Sequence, residues 1–268
     1  MPVPASVPDA GESQSPLFNQ SLEKGIAVLR AFSAERRTMT IAEVAEAVGI
    51  NKSSAQRMVF TLEQLQLLRK HPRTRRYQLT PRVMDIGFNY LAANPVIDVA
   101  NSFLSELTKV TTETSCLTEP DGADMVYVAR FVSAHSMPVH MPIGSRIPMY
   151  CTGSGRAYLS ALPEAEALAI IEGSARVAHT IRTQTGVAEI VAELAATRQR
   201  GYAINREELF LGDMTIAAPV VGGNGRPIAA VHVVAPTSRW TIEEAELRLA
   251  PPLLQCARAV SSSVRALG

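Results

Sequence analysis

The stretch TIAEVAEAVGINKSSAQRMVFTLEQLQLL, residues 40–68, contains two short helical patterns that meet at Gly49. Thr40 and Glu43 predict a capping box at the start of the first helix, and Gly49 ends that helix. Asn51 can cap the second helix. Apolar residues at helical spacing give each helix one buried face. The buried positions predicted are Ile41, Val44, Ala45 and Val48, then Ala55, Met58, Val59, Leu62 and Leu65.

The flanking segments extend this pair of helices into a winged helix-turn-helix. Upstream, residues 17–33 form a helical pattern with Leu22, Ile26 and Leu29 on one face. Downstream, LLRKHPRTRRYQLT predicts a β-hairpin with its turn around His71–Pro72. The order of helix, capped helix, glycine turn, second capped helix and basic hairpin predicts a DNA-binding domain over residues 17–80.

The start of the second helix and the hairpin carry the side chains that DNA contact requires. In a helix-turn-helix, the N-terminal part of the second helix enters the major groove. Arginine there can pair with guanine and glutamine with adenine, while hydroxyls and helix-terminal amides can bind phosphate. Arginines of the hairpin suit backbone or minor-groove contact. The predicted DNA-binding residues are Thr40, Lys52, Ser53, Ser54, Gln56, Arg57, Arg73, Arg75 and Arg76.

The uneven distribution of charge along the chain supports a polyanion such as DNA as the binding partner. A run of charged residues by itself is usually only a solvent-exposed face. Residues 36–82 contain ten Lys or Arg against three Glu, a net charge of +7. The whole chain has a formal charge of +1, so the remainder is close to −6. A basic module joined to an acidic one is typical of nucleic-acid binding fused to a different function.

Composition excludes several other classes. Three widely spaced cysteines form neither a disulfide framework nor a metal pair, and we expect no metal and no cofactor. No apolar run reaches the roughly 18–20 residues of a membrane helix. The segment MPVPASVPDAGESQSP, residues 1–16, lacks the features of a signal peptide and is expected to be a disordered leader. We therefore expect a cytoplasmic protein that does not bind membranes.

The second half of the chain predicts a separate α+β domain. A helix from Arg82 to Ala92 lies in a linker, residues 81–94, and Asn94–Pro95 ends it. Residues 95–268 then form the second domain. Its predicted strands are Ser115–Glu119, Met125–Phe131, Pro138–Met141, Tyr202–Arg206, Thr215–Val221 and Pro227–Val234, with a hairpin turn at GGNGRP. Its predicted helices are Val96–Thr112, Gly153–Leu162, Glu164–Ile171, Val187–Arg200 and Ile242–Leu267, the last interrupted or begun at Pro251–Pro252.

Three motifs in order resemble the IclR family of bacterial transcriptional regulators: SLEKGIAVLRAF with residues 40–68, GSRIPMYCTGSGRAYLSALP at 144–163, and GYAINREELFLGDMTIAAPVVGGNGRPIAAVHVVAP at 201–236. The resemblance implies a winged helix-turn-helix, a linker helix and an effector-binding, GAF-like domain with an antiparallel sheet. It also implies a dimer, or dimer of dimers, on operator DNA and a small carboxylate effector. The second motif is most similar to regulators of aromatic-acid degradation. Thr80–Pro81 stands where the family's wing returns to a glycine.

The resemblance also implies where an effector binds. Amides at Gly153 and Ser154 open a helix and can hold a carboxylate. The family's strands place Asn205, Thr215, His232 and Val234 beside that helix. The side chains that could line such a cavity are Met125, Tyr127, Met141 and Met149, of which Met125 and Met141 are the predicted binding residues. Each of these residues is also compatible with an ordinary core position. Arg130 and Arg146 could balance a carboxylate or lie on solvated surface, and Cys116 and Cys151 could be pocket residues or inert thiols.

Two other functions stay open at this point. Ser154 lies between two glycines, but the G-x-S-x-G spacing of a hydrolase elbow is missing, and nothing in the spacing of His232 and Asp213 requires a catalytic triad. We expect no enzyme activity. The remaining alternative is a DNA-binding regulator whose second domain binds no ligand and only assembles oligomers.

Overall fold

The computed structural model of the protein describes residues 15–134 and 141–267. These residues divide into two compact units, with the boundary between Tyr90 and Leu91. The predicted leader, residues 1–16, lies outside the described residues except for Ser15 and Pro16. Within the described ranges, no helix is both long and apolar enough to cross a membrane.

The N-terminal unit is the predicted winged helix-turn-helix. Its elements are α1 (Gln20–Arg30), α2 (Ile41–Val48), α3 (Lys52–Gln64), β1 (Leu68–Lys70), β2 (Tyr77–Leu79), a 3-10 turn (Pro81–Val83) and most of α4 (Met84–Ala92), whose last two residues lie past the boundary. The Thr40–Glu43 capping box is present, and Gly49 ends α2 with φ 71°. Asn51 caps α3 by accepting from the Ser54 amide at 2.8 Å. Strands β1 and β2 pair antiparallel.

The buried face of α3 differs from the prediction at Leu65, and the predicted apolar face of α1 lies mostly on the surface of the unit. On α1, Val28 is fully buried, whereas Leu22 and Ile26 are exposed, because α1 packs on α3 through the face that contains Val28. At the end of α3, Leu65 is 55% exposed. The helix ends at Gln64, and Gln66 adopts φ 60°, so the chain turns away before Leu65 can reach the core.

The C-terminal unit contains a six-stranded antiparallel sheet between two helical layers. Its strands are β3 (Thr114–Asp121), β4 (Asp124–Phe131), β5 (Arg146–Pro148), β6 (Ala203–Arg206), β7 (Met214–Val221) and β8 (Pro227–Val234), in the order β5-β4-β3-β8-β7-β6. Its helices are α5 (Pro95–Thr111), α6 (Gly153–Ser160), α7 (Glu164–Glu172), α8 (Val187–Arg200), α9 (Ile242–Arg248) and α10 (Ala250–Arg265). This arrangement confirms the predicted α+β fold.

Each face of the sheet has its own core. Helices α5 and α10 pack on one face, and α6, α7 and α8 form the other side of the unit with a second cluster of buried residues. Along β3 the alternation is visible directly, since Leu117 belongs to the first cluster and Cys116 to the second. The predicted strand 138–141 lies outside the described residues except for Met141, which is not in a strand; the edge strand is β5.

Candidate functional site

The first turns of α3 present a polar, basic surface. Lys52, Ser53, Gln56 and Arg57 are all exposed, on the side of the helix opposite Ala55 and Val59. Ser54 was expected among them, but it is buried, because it belongs to the face of α3 that packs against the domain. The exposed set offers donors, acceptors and positive charge at one helix end, which is the chemistry of DNA contact.

The arginines of the β1–β2 hairpin have different surroundings. Arg73 and Arg75 are exposed. Arg76 instead donates from Nε to Thr38 Oγ1 at 3.0 Å and from Nη2 to the Thr38 carbonyl at 2.9 Å. Its Nη2 also lies 2.7 Å from a Glu43 carboxylate oxygen. Arg76 therefore holds the hairpin against the start of α2, which is a structural role that the sequence did not predict.

The hairpin closes without the family's glycine. The Thr80 hydroxyl donates to the Gln66 carbonyl at 2.6 Å, and the Thr80 amide donates to the Leu67 carbonyl at 3.0 Å. Pro81 begins the 3-10 turn that leads into α4, as expected for a proline at the first position of a helical segment.

A cavity in the C-terminal unit lies between the sheet and the start of α6. Its volume is about 40 Å³, whereas one water molecule requires about 10–15 Å³. The cavity therefore has room for a ligand larger than a single water. It is lined by Cys116, Tyr127, Arg130, Met141, Ile147, Thr152, Gly153, Ser154, Asn205, Leu209, Phe210, Asp213, Thr215, His232 and Val234.

One wall of the cavity is the N-terminus of α6. Thr152 caps this helix by accepting from the Gly155 amide at 3.3 Å. A Cβ on Gly153 would lie 2.5 Å from Thr215 Oγ1, and a Cβ on Gly155 would overlap the Met149 backbone. Both glycines are therefore needed for the helix to approach the sheet. Amides at a helix start favour an anion.

The floor of the cavity is set by the register of the strands. Cys116 on β3 pairs with His232 on β8 and, on its other side, with Arg130 on β4. Two residues further along β8, Val234 pairs with Thr215 on β7, which in turn pairs with Asn205 on β6. Residues from five strands thus meet under α6.

Three buried polar atoms at this floor and wall have no partner. Within residues 15–134 and 141–267, nothing forms a hydrogen bond with Ser154 Oγ or with either ring nitrogen of His232. The His232 ring meets the edge of Tyr127 with centroids 5.3 Å apart. Burial lowers the pKa of His232 to about 3, so the ring is neutral at pH 7. Unpaired buried polar groups are costly, and a ligand can pair them.

Two charged side chains also reach the cavity. Arg130 donates from Nη1 to the Met141 carbonyl at 3.1 Å. Burial raises the pKa of Asp213 to about 6, so this carboxyl titrates near neutral pH. The pocket therefore combines a fixed positive charge with a carboxyl group that can be protonated.

An ion pair supports the cavity from behind. Arg156 on α6 pairs with both carboxylate oxygens of Glu208, at 2.6 and 2.8 Å, and both side chains are buried. Glu208 Oε1 also accepts a hydrogen bond from Asn205 Nδ2 at 2.9 Å, and Glu208 Oε2 accepts one from the backbone amide of Gln184 at 3.0 Å. This network joins α6 to the loop that carries Leu209, Phe210 and Asp213.

The cavity gathers most of the predicted effector residues. It includes Gly153, Ser154, Asn205, Thr215, His232, Val234 and Met141. Met125 does not line it: this side chain is enclosed in the core beyond, as is Met149. Sequence reasoning left out Thr152, Ile147, Leu209 and Phe210, and considered Asp213 only as part of a triad.

Arg146 and the two cysteines predicted near the effector site differ in their positions. Arg146 does not reach the cavity; it pairs with Asp121 at 2.5 Å and Asp124 at 3.1 Å. Cys116 lines the cavity and Cys151 is buried, and burial raises the pKa of both thiols to about 12, so neither is a reactive thiolate. Among the described residues, no group of three His, Cys, Asp or Glu could hold a metal ion.

The same cavity argues against an esterase. Ser154, His232 and Asp213 all line it, but Ser154 Oγ and both nitrogens of His232 lack hydrogen bonds to described residues. A serine nucleophile requires a base within hydrogen-bond reach and a third group that orients the base. Without those hydrogen bonds, the three residues do not form a catalytic triad.

Comparison with known proteins agrees with both units. Residues 21–72 match the family model described as the IclR helix-turn-helix domain, and residues 88–262 match the one described as bacterial transcriptional regulator IclR C-terminal. The chain belongs to the IclR family. As an IclR-type protein it is a DNA-binding transcriptional regulator rather than an enzyme, as predicted.

Individual relatives show the same relationship over nearly the whole chain. The Pca regulon regulatory protein of Pseudomonas putida is 30% identical over 91% of this chain and 83% of its own length. The p-hydroxybenzoate hydroxylase transcriptional activator of Acinetobacter baylyi is 32% identical over 81% of this chain and 82% of its own. The crystal structure of a putative transcriptional regulator from Rhodococcus sp. RHA1 has a TM-score of 0.82 at 33% identity, covering 94% of this chain and all of that one.

Proposed function

We propose that this IclR-type regulator controls a catabolic operon and responds to a small carboxylic acid bound in the cavity beneath α6. The observation that carries the proposal is the buried Ser154 hydroxyl, which has no partner among the described residues and lies at the N-terminus of α6, beside the first backbone amides of that helix. A carboxylate accepts hydrogen bonds from both kinds of donor, and the helix dipole favours its charge.

The lining of the cavity supports an acid with an apolar, aromatic body. Tyr127, Ile147, Leu209, Phe210 and Val234 provide apolar surface around the polar positions. Relatives named for the pca regulon and for p-hydroxybenzoate hydroxylase support the same direction. Gly153, Asn205 and Thr215 then act at the carboxylate end, with Met141 at the wall.

On DNA, α3 is the element proposed to read bases. Lys52, Ser53, Gln56 and Arg57 are exposed at its N-terminal half, and Thr40 at the start of α2 can contact phosphate. Arg73 and Arg75 of the hairpin are free of the bonds that hold Arg76, so they are the better candidates for contact with the flanking backbone.

The chain is also proposed to act as a dimer, with dimers of dimers as the next level. Helix α4 has no buried residue, and it exposes Met84, Ile86, Phe88 and Tyr90. On α1, Leu22 and Ile26 are exposed as well. Apolar surface of this extent on two helices favours burial against a second copy. Because operator DNA is its partner, we place the regulator in the cytoplasm.

Ligand binding can change DNA binding only if the effector has unequal affinity for two states of the protein. The proposal is tested by thermal unfolding of the purified full chain with aromatic and aliphatic carboxylic acids. An effector at 100 times its Kd adds about 2.7 kcal/mol, which corresponds to a rise in Tm of roughly 5–10 °C. No rise with any acid, with DNA binding intact, would favour a second unit that only assembles oligomers.

Two variants separate the two halves of the proposal. Ser154→Trp fills the cavity, so it should abolish the rise in Tm and leave operator binding unchanged; Ser102→Trp, on exposed α5 surface, is the matched control. Arg57→Ala should weaken operator binding by about 1–3 kcal/mol and relax base preference at one position, whereas Arg258→Ala should not. Uniform weakening across sequences would make Arg57 a phosphate contact.

A further inference from the structure

Phe60 is a large apolar side chain on the solvent-exposed side of α3, and it is 61% exposed. Ser53, Gln56 and Arg57 are exposed as well, and together with Phe60 they follow the spacing i, i+3, i+4 and i+7. Side chains at this spacing lie on one face of a helix. These four residues therefore form one surface, here called the reading face, and Phe60 lies within it among the polar side chains.

The reading face is separate from the side of α3 that packs within the domain. Ala55 and Val59 are buried on that other side. Helix α1 approaches α3 there, since a Cβ on Gly25 would lie 4.0 Å from Met58 Sδ. Met58 and Phe60 point in nearly opposite directions, about 160° apart around the helix axis. The packing of α1 on α3 therefore leaves the Phe60 ring uncovered.

The position of Phe60 gives its exposure a specific meaning, although single apolar side chains on a protein surface are common. In the major groove, base pairs present hydrogen-bond donors and acceptors together with the 5-methyl group of thymine. Gln56 and Arg57 can pair with the polar groups, but neither recognises a methyl group as a hydrogen-bond partner. Phenylalanine is one of the side chains that make apolar contact with that methyl.

We propose that Phe60 is a specificity-determining residue that packs its ring on the 5-methyl group of a thymine in the operator. This inference rests on the proposed reading of bases by α3 and adds a contact of a different chemistry to it. Phe60 lies one turn beyond Gln56, about 6 Å along the helix, which corresponds to about two base pairs. Removing the methyl from water favours thymine over cytosine, which has no methyl group at that position.

The test replaces thymine by uracil in DNA, which deletes the methyl group and keeps every hydrogen bond. The probe is a duplex selected by the full chain from a random-sequence library, with each thymine changed singly to deoxyuridine. In the wild type, at least one change should weaken binding about fourfold, the factor expected for one apolar carbon returned to water. In Phe60→Ala, the thymine and uracil duplexes should bind equally.

A matched control is Leu65→Ala, which shortens another exposed apolar side chain at the end of α3, outside the reading face. It should keep the wild-type sensitivity to uracil. Because Phe60 is exposed, Phe60→Ala should also keep the wild-type Tm and the wild-type mass in light scattering. A lower mass would assign Phe60 to a surface between two copies of the chain and would overturn the inference.

Two further outcomes separate this inference from the function on which it rests. Selected duplexes that tolerate uracil at every thymine, or a uracil penalty that Phe60→Ala leaves undiminished, would overturn the role of Phe60 while leaving sequence-specific DNA binding intact. A selection that recovers no preferred sequence, from protein with a normal thermal transition, would overturn both the role of Phe60 and the reading of bases by α3.

Discussion

Asp213 shows how the cavity affects the stability of the protein through a single carboxyl. It lies directly before β7 and lines the cavity, where burial raises its pKa from 3.8 to about 6. A carboxyl with a raised pKa in the folded state stabilises the fold when protonated, and that contribution is lost as pH rises through about 6. His232 has the opposite sign: its pKa is lowered from 6.5 to about 3, so stability is lost as pH falls below 6.5.

We expect Asp213→Asn to separate these effects. The amide cannot ionise, so its gain in unfolding free energy over the wild type should be about 2 kcal/mol larger at pH 8 than at pH 4.5. The His232 contribution is common to both proteins and cancels in the difference. The measurement is urea unfolding of the C-terminal unit without ligand. Glu172→Gln, at an exposed position, is the control: its unfolding free energy relative to the wild type should be the same at pH 4.5 and pH 8. If Asp213→Asn also gave the same gain at both pH values, the raised pKa of Asp213 would be contradicted.

At the level of residues, the sequence predicted those lining residues of the cavity that belong to a recognisable motif. Gly153, Ser154 and His232 come from separate motifs of one family, and sheet register brings them together. Leu209 and Phe210 lie in an irregular loop without periodicity, so no sequence pattern assigned them. Met125 was misplaced because strand alternation gives the face of a side chain but not its depth in the core.

At the level of elements, the caps were predicted more reliably than the buried faces. A cap depends on a few neighbouring residues, as at Thr40, Gly49 and Asn51, all confirmed. A buried face depends on where the next element packs. Leu22 and Ile26 follow helical spacing, yet α1 turns Val28 inward. The apolar face predicted for α1 is present, but it lies on the surface of the N-terminal unit and is not buried in its core.

The Arg156–Glu208 pair is an element-level connection between α6 and the loop before β7. Both side chains are buried and every carboxylate oxygen is hydrogen-bonded. Glu208→Gln would leave the Arg156 charge without its partner, and breaking one half of a buried pair costs about 3–5 kcal/mol. We expect a loss of this size in the unfolding free energy of the C-terminal unit.

The matched control for this prediction is an exposed pair on the same unit. Arg226 and Glu166 form a two-pronged pair with both side chains close to half exposed. Glu166→Gln should change the unfolding free energy by less than about 1 kcal/mol, because exposed pairs are screened by water. Similar losses in Glu208→Gln and Glu166→Gln would show that the Arg156–Glu208 network is solvated in solution and does not fix the loop.

At the level of the whole molecule, the N-terminal unit leaves large apolar side chains of α1 and α4 exposed, outside its own core. No residue of α4 is fully buried, Leu91 near its end is partly buried, and Phe88 is 65% exposed. An isolated helix of this length is not stable in water by itself, so we expect the exposed apolar face of α4 to pack against another surface. A second copy of the chain provides such a surface and supplies the second recognition helix that a two-fold operator needs.

We therefore expect Phe88→Glu to reduce the mass of the protein in light scattering and to weaken operator binding, because a buried charge opposes pairing of the two copies. A monomer places only one recognition helix on the operator. Phe88→Glu should therefore weaken operator binding by more than Arg57→Ala does, because Arg57→Ala removes only one side chain. Leu247→Glu, on exposed α9 surface of the other unit, is the control and should change neither quantity. A Phe88→Glu protein with wild-type mass and operator affinity would show that α4 is not part of the dimer, and the exposed face of α1 would then be the next surface to substitute.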